Sequence, residues 1–274
     1  MTHMTVMLDH PAWLTDAEGR ARRAVRSGGV VWSITCTPHV DIAGHTVTVS
    51  GDSGNGGAAP VIDVLDPATI DAPEVISNPL RADGAVGRLR NPDLWDALAT
   101  SIVRQVIRAG QARRLYREFC QAHGEQVDTG AGPAWLFPTP DTVLTLSDSE
   151  FESLGLAFKT KPLRAAAEAY LKFGGEWNTL LAAELVVAVQ RVPRIGPWSA
   201  GASVADVTNR FDLYPFADLA VRTWAKRLAP SVAWPKDEPE FHALWQGMAK
   251  RQVSTWTLLT LAWGVRHAND GVAF

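Results

Sequence analysis

From Asn91 to residue 268, apolar positions recur at intervals of three and four. The pattern predicts helices near 92–108, 110–123, 140–146, 149–155, 160–173, 179–190, 197–207, 218–228, 238–248 and 252–268. Pro138, Pro140, Pro162, Pro193, Pro197, Pro215, Pro230, Pro235 and Pro239 fall at the edges of these segments or between them, where proline is tolerated. Asp148 and Asp237 precede acidic first turns and read as N-caps. The first ninety residues follow another pattern. Runs at 30–36, 45–49 and 61–65 are rich in β-branched residues and predict strands, with a turn at Ala43-Gly44 and a flexible loop at 51–57. Residues 10–26 read as a helix, with Asp16 and Glu18 early and Arg20, Arg22, Arg23 and Arg26 late, as the helix dipole favours; Gly28-Gly29 ends it. The expected architecture is mainly α: a small α/β unit over 1–88, then a helical body over 89–274.

Composition narrows the class. A chain of 274 residues can bury a sizeable core, and 46% hydrophobic with 20% charged residues is ordinary for a globular protein. No apolar run approaches the ~20 residues of a membrane span, and the N-terminal stretch lacks a secretory apolar region. Cys36 and Cys120 are too few for a disulfide framework or a four-cysteine cluster, so reduced thiols and a cytoplasmic location (at the nucleoid, in a bacterium) are expected, without an iron–sulfur centre. The net charge of −3 divides unevenly: residues 1–88 hold 6 Lys/Arg against 10 Asp/Glu, the remainder 20 against 19. Any polyanion would therefore be held by local patches rather than by a global field. His39 and His45 have no partners at metal-ligand spacing, and neither GxSxG nor HExxH occurs.

The chemistry concentrates in two stretches. Residues 189–200 read Val-Gln-Arg-Val-Pro-Arg-Ile-Gly-Pro-Trp-Ser-Ala, two helices joined by a Pro-X-hydrophobic-Gly hairpin. Such a turn aims the amides at the start of its second helix toward an anion such as a DNA phosphate. Asp218 follows, one carboxylate in the apolar run Leu-Tyr-Pro-Phe-Ala-Asp-Leu, where it could cap the next helix or do chemistry.

The hairpin, the Gly196-to-Asp218 spacing, Gly87-Arg88-Leu89, the run Ile102-Val103-Arg104-Gln105-Val106, Phe137-Pro138-Thr139-Pro140, Leu154-Gly155-Leu156 and the tract from Trp256 to Trp263 occur in this order. Together they resemble the helix-hairpin-helix (HhH-GPD) DNA glycosylase superfamily, within it the 3-methyladenine DNA glycosylase II branch, over roughly residues 85–267. The resemblance implies a two-lobed helical body and a monomer that acts on double-stranded DNA with a damaged, alkylated purine. It implies Asp218 as the catalytic carboxylate and Trp198 and Trp263 around the extruded base, although several of the 11 Trp, among them Trp95, Trp224, Trp245 and Trp256, read equally as core. It places Gln105 and Val106 where residues enter the duplex, and Arg194, Ile195, Gly196 and Ser199 against DNA. Carbonyls of Gln190, Val192 and Ile195 are implied ligands of a monovalent cation (Na or K) when DNA is bound; no other cofactor is expected. Trp198 stands where strand-cleaving relatives carry a lysine nucleophile, which implies a monofunctional enzyme. Arg194 departs from the family's usual glycine; it could add a phosphate contact or loosen the hairpin. Arg104, Arg108, Arg113, Arg114 and Arg117 form a candidate basic face, with Lys159, Lys161 and Arg164 beyond it. A non-catalytic damaged-DNA-binding protein with the same fold is the alternative, fed by Ala202 and Leu219, where related enzymes often have aromatics.

Overall fold

The computed structural model describes residues 4–40, 44–51 and 57–268. The expected turn at residue 43 and most of the loop at 51–57 lie outside them.

Among the described residues the strands form three small sheets, two of them within the first ninety residues. One joins β1 (Met4–Val6), β7 (Ala85–Leu89) and β6 (Ile62–Leu65), with β1 parallel and β6 antiparallel to β7. The second is an antiparallel meander of β2 (Leu14–Thr15), β3 (Ala21–Ser27), β4 (Val30–Pro38) and β5 (His45–Gly51). A hairpin of β8 (Gln126–Asp128) and β9 (Pro133–Trp135) comes later.

The helix expected over 10–26 is therefore wrong, and the reason is local. Gly28 and Gly29 have φ of 57° and 82° and form the two-residue loop of a β-hairpin that pairs Ser27 with Val30 and Ala21 with Cys36. Two successive positive φ values suit glycine and match the twist of paired strands, so Gly-Gly joins two strands here rather than ending a helix. The arginines then alternate across the sheet. Arg23 is buried against Asp96, while Arg22 and Arg26 reach the other side, to Pro133 O and Glu125.

The remainder is helical: α1 (Glu74–Asp83), α2 (Leu94–Arg104), α3 (Ala109–His123), α4 (Pro140–Thr145), α5 (Asp148–Ser153), α6 (Thr160–Trp177), α7 (Ala182–Val189), α8 (Pro197–Thr208), α9 (Leu219–Leu228), α10 (Glu238–Ala249) and α11 (Val253–Arg266). Asp237 caps α10 through the Glu240 amide, but Asp148 is not the cap of α5. Ser147 takes that place in a reciprocal capping box with Glu150, because its hydroxyl reaches the N3 amide from one residue further back.

Two cores divide these helices into lobes. The first packs α2–α8 around Leu98, Ile102, Phe119, Phe151 and Leu163. The second packs α9–α11 around Trp245, Trp256 and Phe241, and draws Met7, Ile76, Leu80 and Val86 from the start of the chain. Helix α2 has ten of its eleven residues buried, as a central helix must. Helix α8 serves both lobes, Val204 facing the first core and Ala205 the second.

Where the sheets meet α2 and α8, a buried polar network replaces apolar packing. Arg88 donates to Asp9, Asp206 and Asn209; Asn91 donates to Asp96 and Asp206; Arg23 and Tyr116 donate to Asp96. His10 sits among them with Nδ1 accepting the Ala12 amide at 3.2 Å and Nε2 3.0 Å from Thr100 Oγ1. Asp96 and Asp206 lie 3.4 and 3.7 Å from Nε2 and favour the charged ring, but a nitrogen that accepts an amide hydrogen carries no proton. Burial and the Arg23 charge prevail and lower the His10 pKa to about 3. The unfolded chain therefore takes up a proton near pH 6.5 that the folded chain refuses until about pH 3, so stability falls as pH drops through this window. Urea titrations at pH 7.5 and 5 are expected to show a larger loss in the wild type than in His10→Gln. The difference approaches about 1.4 kcal/mol per pH unit below the unfolded pKa.

Candidate DNA interface and active site

The hairpin forms as its sequence suggests. Helix α7 ends at Val189, and the Ile195 amide donates to Val192 O at 3.1 Å, closing a four-residue turn. Pro193 supplies the fixed φ of the second position, and Arg194 takes the third with φ of 70°. That position favours glycine, so Arg194 holds a strained backbone. Val192 and Ile195 are buried in the first core and anchor the turn, while Pro193, Arg194 and Gly196 face solvent. Gly196 is the N-cap of α8 and Pro197 its first residue. The φ of Gly196 is an ordinary −84°, and a Cβ built on it would meet nothing within 4 Å. Nothing within the described structure demands glycine there; the space in front of it is open.

Two further loops are bonded to this turn. Gln105, at the end of α2, donates through Nε2 to Arg194 O at 3.2 Å and to the buried Ser199 hydroxyl at 2.7 Å. Lys159 donates through Nζ to Gln105 O at 2.6 Å, and its burial pulls the ammonium pKa down. Loops 105–108, 157–159 and 192–196 thus make one surface. It displays Val106, fully exposed in the left-handed region at φ 60°, and Phe158, 95% exposed. A β-branched residue with positive φ is strained, and strain of this kind clusters at functional sites. Sequence reasoning missed Phe158, which followed Leu154-Gly155-Leu156 with no periodicity to mark it as outward-facing. Ser199 and the Ile195 side chain are turned inward and support the surface rather than display themselves on it.

Asp218 lies at the N-cap position of α9 but makes no side-chain capping bond. Its amide donates to Pro215 O at 2.8 Å, and its Oδ2 accepts the Tyr214 hydroxyl at 2.5 Å. Burial and the Asp218 charge push the Tyr214 phenol well above its usual range. Gly201 lets the loop preceding Asp218 come close: a Cβ there would sit 2.4 Å from Leu213 O and 3.1 Å from Pro215 Cδ. The 213–218 loop therefore lies directly on α8, one turn beyond Trp198. Trp198 is half-buried in the first turn of α8, and the half-buried Trp263 stacks on His267 with ring centroids 4.5 Å apart. Ala202 is half-buried and Leu219 is exposed beside Asp218. A cavity of about 410 Å³ lies between α6 and α7, lined by Phe173, Trp177 and Pro193; Asp218, Trp198 and Trp263 do not line it.

The basic face is mostly spent internally. Arg113 and Arg117 donate to the carbonyls of Leu8, Pro11 and Trp13 and tether the segment between β1 and β2, and Arg114 pairs with Glu118. Arg164 bonds to Asp148 and Leu146 O. Arg108 and Arg194 remain exposed on the loop surface, and Lys161 is exposed on α6. Trp95, Trp245 and Trp256 are core, as expected, and Trp224 is half-buried against Gly264. His45 accepts the Val6 amide between strands. Among the described residues no group of three or more His, Cys, Asp or Glu side chains is placed to hold a metal, and no helix is long and apolar enough to cross a membrane.

The fold is similar to that of 3-methyladenine DNA glycosylase from Archaeoglobus fulgidus, with a TM-score of 0.72 at 17% identity over 97% of this chain and 96% of that one. It is also similar to the Clostridium acetobutylicum 8-oxoguanine glycosylase/lyase in complex with DNA, at 0.68, 14% identity, 96% and 90%. No curated protein sequence matches the chain significantly. A family model described as HhH-GPD superfamily base excision DNA repair protein matches residues 99–250, and this is more than half of the 274 residues. The match spans α3, the hairpin and Asp218 together, and by it the protein belongs to the HhH-GPD superfamily of base excision DNA repair proteins.

Proposed function

We propose that the protein is a monofunctional DNA glycosylase that removes alkylated purines from double-stranded DNA. The observation that carries this reading is the bonded surface of three loops, with a catalytic-type carboxylate held at the next helix start. The open space before Gly196 and the first amides of α8 suit a phosphate group approaching closely. The carbonyls of Gln190, Val192 and Ile195 around the turn are hard, neutral oxygens of the kind a monovalent cation takes. Val192 O already accepts the Ile195 amide and keeps one lone pair for such an ion. Val106 and Phe158 are apolar and fully presented, which suits filling the stack that a flipped nucleotide leaves.

Cleavage of the N-glycosidic bond builds positive charge on the sugar. The Asp218 carboxylate stabilises that charge and orients the attacking water. Trp198 offers an indole face to a cationic purine but no amine for a Schiff base. An alkylated cationic purine leaves readily, so a single half-exposed carboxylate suffices.

The test is mass spectrometry of bases released from methylated duplex DNA. Free alkylated purine is expected, with the strand intact until alkali is added. Strand scission without alkali would remove the monofunctional assignment. Tight duplex binding with no base released would favour the non-catalytic alternative, for which the exposed Leu219 beside Asp218 is the supporting observation.

A further inference from the structure

We propose that Tyr214 is a positioning residue for Asp218, its hydroxyl holding Oδ2 so that the carboxylate stays off the end of α9 and Oδ1 is left for the reacting sugar or water. The proposal rests on the reading of Asp218 as the group that assists bond cleavage.

An aspartate at an N-cap ordinarily turns its side chain onto the N2 or N3 amide of its own helix. Asp218 occupies that position, and its carbonyl accepts the Arg222 amide at 3.0 Å, yet its side chain caps nothing. The Tyr214 hydroxyl 2.5 Å from Oδ2 is the competing partner. It is a firm one. Tyr214 is only 8% exposed and packs on Phe211 with ring centroids 5.5 Å apart. The loop between the two residues is closed by the Asp218 amide on Pro215 O, and Gly201 brings that loop onto α8. Tyr214 remains a donor at every working pH, since burial and the neighbouring carboxylate oppose its ionisation. A hydroxyl fixed by packing chooses the carboxylate's direction; without it, the helix end takes the carboxylate back.

Tyr214→Phe keeps the ring and removes only the donor. The expected result is a loss of about 10- to 100-fold in the single-turnover rate of base release, the scale of a misplaced catalytic group, with affinity for abasic-site duplex within about twofold of wild type. In an Asp218→Asn background the same change is expected to cause no further loss. A wild-type rate for Tyr214→Phe, or an equal loss in both backgrounds, would overturn the proposal. Should Asp218→Asn itself release base at the wild-type rate, the assignment of Asp218 fails instead, and the two failures are distinct. A proton NMR spectrum of the free protein tests the geometry without activity: a downfield, slowly exchanging hydroxyl resonance is expected in the wild type and absent from Tyr214→Phe. Its absence from the wild type would also overturn the proposal.

Discussion

Asp218→Asn is expected to bind abasic-site duplex as the wild type does and to release alkylated base about 10²- to 10³-fold more slowly. That is the scale on which one preorganised electrostatic group contributes to a charged transition state. The substitution separates chemistry from structure because the wild-type side chain makes no capping bond to α9. Asparagine is in any case as good an N-cap as aspartate, and its amide oxygen can still accept the Tyr214 hydroxyl. Unfolding midpoints should therefore match, and a fall in rate cannot be ascribed to a damaged fold. Single-turnover release with enzyme in excess is the measurement, since product release does not enter it. Equal rates for variant and wild type would mean that the cleavage chemistry belongs to another group.

The largest loss of stability is expected from Arg88→Ala. Arg88 is buried and donates to Asp9 at 2.9 Å and to Asp206 at 2.8 Å, and its other Nη bonds to Asn209, the left-handed C-cap of α8. Removing the guanidinium leaves the buried Asp206 and the half-buried Asp9 without a charged partner. Breaking one side of a buried ion pair costs about 3–5 kcal/mol. The comparison is Arg90→Ala: Arg90 bonds to Asp63 at 2.6 and 2.7 Å at the exposed edge of the same sheet, where pairs contribute about 0–1 kcal/mol. Urea denaturation monitored by tryptophan fluorescence reads both. A loss below about 1 kcal/mol for Arg88→Ala would mean that water or rearrangement satisfies the two acids. The network ties the sheets to α2 and α8, the helices whose ends carry Gln105, Gly196 and Trp198, so the proposed DNA site is built on it.

Beyond residue 91 the helices were legible, because a 3.6-residue apolar rhythm and prolines at the boundaries are local signals; the one expected over 92–108 stops at Arg104, since Val106 takes a positive φ and 105–108 leave the helix as a loop. The hairpin was legible for the same reason: Pro193, Gly196 and Pro197 write its geometry into consecutive residues. Asp218 and Trp198 could be singled out because the family pattern keeps their spacing from the hairpin. The N-terminal third was not legible to the same degree. Residues 21–27 (Ala-Arg-Arg-Ala-Val-Arg-Ser) mix arginine with small apolar residues, a pattern that serves a helix with a basic end as well as a strand covered on both faces. Only pairing with β4 decides between them. Helix α1 carries Pro79 within a stretch rich in proline and aspartate, and it survives because Ile76 and Leu80 pack into the second core.

Local sequence set the helices, the turn and the charge of each side chain, since these depend on neighbours within a few residues. Three matters belonged to the tertiary structure alone. The contact of loops 105–108, 157–159 and 192–196 runs through Gln105 and Lys159, residues 54 apart, and makes Val106 and Phe158 part of one surface. The arginines 113 and 117 face backbone carbonyls more than a hundred residues away rather than an outside anion. The loop that carries Tyr214 and Asp218 lies against α8 because Gly201 leaves room for it. In each case the deciding contact is between groups distant in the chain or fixed by a distant glycine, and no local rule of spacing can foresee which donor a folded chain will bring to which acceptor.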